Sequence, residues 1–201
     1  MNLKDIFLEQ LEQLKTDSIY HPVYYNYPVA LRFEVGISDI DDEEKYIECA
    51  NNRAIRIFHT IFQPNDILLI VFDTTPDKEL KKILSNSTMQ RVKEMVKSPY
   101  RNDKEDGVGC FYRYFYKSPV KEIPCDIIIE KIIGGEFCKN KSYSSCVYFF
   151  NLSQNLLFHL YDDRGADLIS PDKDTITPYY NSLNDMILDY DRSKMEKVFK
   201  T

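Results

Sequence analysis

The stretch 146–169 constrains the fold more than any other part of the chain. Three apolar runs, CVYFF at 146–150, LLFHLY at 156–161 and ADLI at 166–169, are separated by short polar segments made of turn formers. Runs of this length, aromatic in content and broken at hairpin spacing, predict three antiparallel strands in a meander. Alternation along 156–161 puts Leu156, Phe158 and Leu160 on one face and Leu157, His159 and Tyr161 on the other. The second turn, Asp162-Asp163-Arg164-Gly165, gathers charge between two apolar strands.

Upstream, Leu3, Ile6, Phe7, Leu11 and Leu14 recur at helical spacing and predict an amphipathic helix ending near Lys15. Residues 19–27 are aromatic and punctuated by Pro22 and Pro28, which suits an extended packing segment better than a helix. Alternation over 29–36 predicts a half-buried strand with Arg32 and Glu34 on one face. The acidic run 39–44 precedes a long helical pattern whose stripe is Ala50, Ala54, Ile57, Phe58, Ile61 and Phe62. Asp41, with Glu44 three residues on, is the expected capping box. Residues 67–72 are continuously apolar, as in a central strand covered on both sides.

Short basic helices are expected over 80–84 and 89–96, the second closed by Ser98-Pro99, then a mobile loop over 100–109. A strand over 110–116 follows, and a helix from Pro124 to Ile133 that stops at Gly134-Gly135. Helices over 175–187 and 192–199 close the pattern, with Asp191 as the expected cap of the last. Interleaved strands and helices with a late meander predict an α+β fold. Its sheet is mixed or mainly antiparallel, and its helices pack largely on one face. The chain of 201 residues fits one domain, 1–201, with no repeat or composition break.

The formal net charge of −6 argues against general nucleic-acid binding. Charge is uneven: 77–104 holds eight Lys/Arg against four Asp/Glu, whereas 162–197 holds nine acids against five bases. Five cysteines without ligand spacing, Cys49, Cys110, Cys125, Cys138 and Cys146, read as reduced structural thiols. No leader or membrane-span pattern is evident, so a cytoplasmic protein with no membrane role is expected. The Asn86-Ser87-Thr88 sequon carries no meaning in that setting. No glycine loop opens a helix, no nucleophile signature occurs, and no cofactor is expected.

The candidate site is therefore the charged turn: His159, Tyr161, Asp162, Asp163, Arg164 and Asp167. Three readings stay open. The carboxylates can serve a structural turn, form an edge that binds a protein, or converge to hold Mg²⁺ or Ca²⁺ or tune a general base. Elsewhere, Arg53 and Arg56 are expected to face water, His59 to sit in the core, and His21 carries no signal.

These segments resemble a bacterial family known as a domain of unknown function, number 3885. The resemblance rests on Tyr-Asp-Asp-Arg-Gly-x-Asp at 161–167, Tyr-Phe-Phe-Asn at 148–151, Tyr180-Asn181 and Ile-Leu-Asp-Tyr-Asp-Arg at 187–192. Leu-Arg-Phe-Glu at 31–34 and the Arg53-Ala54…Ile57-Phe58 helix are similar too. Met186 stands where the pattern leads one to expect Trp. The resemblance implies a cytoplasmic protein of a low-GC Gram-positive type of bacterium and implies no activity.

Two functions follow as expectations. The first is a binding protein of the immunity or antitoxin kind that meets a basic protein partner through an acidic face. The alternative is a metal-assisted hydrolase or transferase using Asp162, Asp163 and Asp167, with His159 as acid or base. Nucleic-acid binding through 78–104 ranks third, and oligomeric state is not legible.

Overall fold

A computed structural model describes residues 2–74, 94–101, 108–135 and 146–200. The described residues build one seven-stranded sheet whose strand pairings are all antiparallel. The strands are β1 (Ala30–Glu34), β2 (Ile67–Thr74), β3 (Glu94–Arg101), β4 (Val108–Pro119), β5 (Cys146–Asn151), β6 (Leu156–Leu160) and β7 (Gly165–Ile169). Their spatial order is β1-β7-β6-β5-β2-β4-β3. The meander β5-β6-β7 forms as its alternation and turns require, and β1 adds to its outer edge. The fold is α+β.

The helices are α1 (Leu3–Gln13), α2 (Glu43–Ile61), α3 (Cys125–Ile133), α4 (Lys173–Ser182) and α5 (Asp189–Phe199). The larger share lies on one side. Phe58 and Phe62 of α2 set their rings against Phe158, and Phe58 also against Phe149 of the neighbouring strand. α3 and α4 pack beside α2. On the opposite face α1 lays Phe7 against Phe115 and Phe150, at ring-centroid distances of 5.5 and 5.6 Å. Residues 68–72 of β2 are all buried, which explains an apolar run without alternation.

The edge strand β1 is covered by the chain leading into α5. Leu188 N donates to the Arg32 carbonyl, and the Arg32 amide meets Met195 Sδ at 3.4 Å. This uses the outward backbone groups that would otherwise offer a pairing edge.

Several local expectations are corrected. Asp42, not Asp41, caps α2 by accepting from the Lys45 amide at 3.0 Å, because the helix starts one residue later. Residues 94–96 extend as part of β3, so the helix expected over 89–96 does not cover them; 89–93 and the helix over 80–84 lie outside the described residues. Ser98-Pro99 does not close a helix but runs within β3, the last strand of the sheet, where a proline is tolerated. Of the loop expected over 100–109, residues 100–101 and 108–109 are strand and 102–107 lie outside the described residues. The helix expected over 175–187 is α4, which ends at Ser182, and a short 3₁₀ turn, Asn184–Met186. Cys125 is buried and Cys49 half-buried.

Candidate functional site

Side chains that alternate along a strand meet those in register on its neighbours, and here that rule assembles a polar row. Arg32 of β1 lies opposite Asp167 of β7, Asp167 opposite His159 of β6, and His159 opposite Tyr148 of β5. All four sit on the α1 side, among apolar neighbours. Asp167 is 1% exposed and His159 2%.

Such burial demands partners for charge. Arg32 Nε donates to Asp167 Oδ1 at 2.9 Å and Nη2 to Oδ2 at 3.4 Å. The Tyr24 amide gives Asp167 Oδ2 a further bond at 3.0 Å. Arg32 Nη1 reaches Asp191 at 3.6 Å. The guanidinium carbon lies 5.3, 4.8 and 5.6 Å from the ring centres of Tyr24, Tyr25 and Tyr161, so the cation has aromatic walls. Burial pushes the Asp167 carboxyl above its ordinary range while the Arg32 bonds and the Tyr24 N–H pull it back. Asp191 also accepts from Tyr25 Oη at 2.8 Å and Lys194 Nζ at 2.9 Å. It does not cap α5, as its position in the sequence led one to expect; it is fully buried inside the first turn, and the helix begins at Asp189.

His159 is the exception to complete pairing. Neither ring nitrogen has a hydrogen-bond partner among the described residues. Its ring stacks on Tyr148 at 4.9 Å and meets His21 edge-on at 5.1 Å. Burial, then the charges of His21 and Arg32, holds its imidazole well below the usual histidine value.

The turn itself is built differently. Asp162 accepts from the Arg164 amide at 2.8 Å and pairs with its guanidinium, so the turn closes on itself. Asp163 accepts from Tyr46 Oη of α2 at 2.8 Å. The Asp163 charge and burial lift the Tyr46 hydroxyl to about 12, burial being the larger cause. The Arg164 carbonyl accepts from the Val35 and Gly36 amides at 2.9 and 3.4 Å. Arg53 Nε and Nη2 donate to the Val35 and Glu34 carbonyls at 2.9 and 2.8 Å, clamping the end of β1. Gly165 is required sterically: a Cβ there would overlap the Tyr161 hydroxyl and stand 2.8 Å from the Phe33 carbonyl oxygen. Burial, then the Asp167 charge, lifts the Tyr161 hydroxyl to about 12.

The six residues singled out in the sequence thus divide. Asp162, Asp163 and Arg164 reach the surface or its margin, Tyr161 is half-buried, and His159 and Asp167 lie inside. The expectation that all six gather where another molecule can touch them is corrected, because alternation turns His159 and Asp167 under α1 and the 19–27 segment. The three carboxylates do not converge, each having its own partner. Among the described residues no group of three His, Cys, Asp or Glu side chains stands ready to hold a metal ion.

Residues 7–191 match a family described as Domain of unknown function (DUF3885). The chain belongs to the DUF3885 family. No curated protein and no solved structure matches it. The match runs from Phe7, which braces α1, to Asp191, which pairs with Arg32, so nearly all of the polar row's surroundings belong to the DUF3885 domain. Among its described residues no helix is long and apolar enough to cross a membrane.

Sequence reasoning missed several members of this site. His21, beside a proline, gives no periodic signal, yet its Nε2 lies 2.7 Å from Tyr148 Oη. Tyr46 looks like one more helical aromatic until its hydroxyl finds Asp163. Arg53 anchors β1, and Arg56 pairs with Asp185 at 2.8 Å, so neither merely faces water. His59 is not in the core: its side chain is 51% exposed and pairs with Asp126 at 2.8 Å.

Proposed function

We propose that this DUF3885 protein is a bacterial cytoplasmic binding protein of the immunity or antitoxin kind, which engages a basic protein partner through one acidic corner. The observation that carries this reading is the junction at Tyr46. Its bond to Asp163, with the amides of Val35 and Gly36 on the Arg164 carbonyl, draws the acidic run 39–44 beside the turn 162–163. Together these stretches hold seven carboxylates: Asp39, Asp41, Asp42, Glu43, Glu44, Asp162 and Asp163. The neighbouring cations are Lys45, Arg53 and Arg164; Arg164 is already engaged by Asp162, and Arg53 by the Val35 and Glu34 carbonyls.

The five acids of the run 39–44 are exposed. A cluster of one sign raises the local concentration of an oppositely charged partner and speeds encounter, an effect that falls with salt. The buried polar row below gives this corner a rigid base, which limits the entropy lost on binding. The non-convergent carboxylates offer no comparable support for metal-assisted chemistry.

The test is affinity capture from the native host at low salt, with wild type beside a variant carrying Asp39→Asn, Asp41→Asn, Glu43→Gln and Glu44→Gln. Asp42 is left intact because it caps α2. The expected result is a basic protein retained by wild type, released by moderate salt and lost from the variant. Retention of nothing by wild type, or equal retention by both, overturns the reading.

A further inference from the structure

The segment between α1 and β1 lies across the polar row like a strap, and its hydrogen bonds to the row each involve a titratable group. His21 Nε2 meets Tyr148 Oη at 2.7 Å, the Tyr24 amide donates to Asp167, and Tyr25 Oη donates to Asp191. Arg32 lies against the rings of Tyr24 and Tyr25. Val23 and Tyr24 are buried beneath, whereas His21 and Tyr25 are exposed. The 3₁₀ turn Val23–Asn26 adds local backbone bonds, Tyr25 N to the Pro22 carbonyl at 3.3 Å among them. Val23 and Tyr24 in the core, with Ile19 and Tyr27 packed against it, add apolar contact to these latches.

Under the strap sits His159, sealed in and without a hydrogen-bond partner among the described residues. We infer that residues 19–27 form an acid-releasable strap, with His159 as the buried trigger and His21–Tyr148, Tyr24–Asp167 and Tyr25–Asp191 as its latches. This goes beyond the acidic corner and does not depend on it.

The groups around the trigger set the direction. Tyr148 faces His159 from β5, Tyr161 from its own strand's end, Asp167 from β7, Arg32 from β1 and His21 from the strap. Asp73 of β2 faces His21 and is itself paired with Arg113 of β4. A proton on His159 in the closed state adds a buried cation beside Arg32, and Asp167, the carboxylate in register with His159, is already committed to Arg32. Lifting the strap lets water reach the imidazole and restores its ordinary affinity for protons.

The sign follows from linkage: the open state binds the proton more tightly, so acid favours opening below the ordinary histidine value. His21, exposed along one edge but desolvated where its ring packs on Tyr148 and His159, is also held below that value and acts in the same direction. Asp167 acts in the opposite direction, since its carboxyl is raised in the closed state, but its effect belongs to the carboxylate range at lower pH. Asp191, held below its ordinary value by Lys194 and Tyr25 against the effect of burial, loosens only there as well.

Amide hydrogen exchange between pH 7.5 and 5.0, corrected for intrinsic rates, reads the strap through the Tyr24 amide and the sheet through the Leu69 amide of β2. With an open-state histidine near its ordinary value of about 6.5, His159 by itself lowers Tyr24 protection about 30-fold over this range. Leu69 protection is expected to fall by a comparable factor, because unfolding frees the same imidazole, but to stay well above that of Tyr24 at every pH. In His159→Phe, which keeps the stack on Tyr148 and removes the titration, the drop shrinks at least tenfold. His159→Leu carries the same test if the Phe variant fails to fold. An unchanged Tyr24 amide in wild type overturns the inference. So does an undiminished drop in the variant, or equal protection at Tyr24 and Leu69, which would make the event global unfolding.

Discussion

Gly165 shows how one missing atom shapes this site. Its neighbours leave no room for a methyl group, because the Phe33 carbonyl belongs to the paired strand β1 and cannot rotate away. Gly165→Ala is expected to lose about 2 kcal/mol in urea denaturation, the usual cost of overpacking. Adding Tyr161→Phe removes the hydroxyl but not the carbonyl, so it should restore only part of that loss. Full restoration would show that backbone crowding is not the cause. The charged residues of the same motif were legible as turn chemistry for Asp162, whose bond to the Arg164 amide is local. The partners of Asp163 and Asp167, 117 and 135 residues away, were not.

At the scale of elements, periodicity carried most of the fold. The stripe of α2, the apolar core of β2 and the meander β5-β6-β7 all lie where hydrophobic patterning placed them, the first and last by period and β2 by the shortness of its unbroken run. Boundaries were less secure. Asp41 and Asp42 are adjacent acids, and either can precede a helix; the structure selects Asp42 through its bond to the Lys45 amide. Asp42→Ala should therefore cost about 1 kcal/mol, while Asp41→Ala should be near neutral, both read by thermal or urea melts. The reverse ranking would return the cap to Asp41. The extended residues 94–96 defeated the helical reading because strand formation there depends on pairing with β4, a contact remote in sequence.

At the scale of the whole molecule, Arg32 ties together parts that are far apart in the chain. It joins β1 to Asp167 of β7, to Asp191 of α5 and to the aromatic rings of the strap. With Arg32 only 12% exposed and both acids buried, truncating one member leaves charge stranded in the interior. Arg32→Met is expected to cost about 3–5 kcal/mol in urea denaturation, and Asp167→Leu about 3 kcal/mol. The double variant should be clearly more stable than the sum of the two losses, since it removes both charges of the pair. Simple additivity would show that the two side chains do not act as a unit.

Local pattern sufficed for the α+β class, the central strand, the meander and the charged turn, because short-range periodicity and turn chemistry act over a few residues. Which polar side chains became a buried row and which became an acidic surface depended on strand order and register. Placing β1 beside β7 is what set Arg32 against Asp167, and folding α2 back over the turn is what gave Asp163 to Tyr46. Those pairings join residues more than a hundred positions apart, where the chain carries no local trace of its future neighbour.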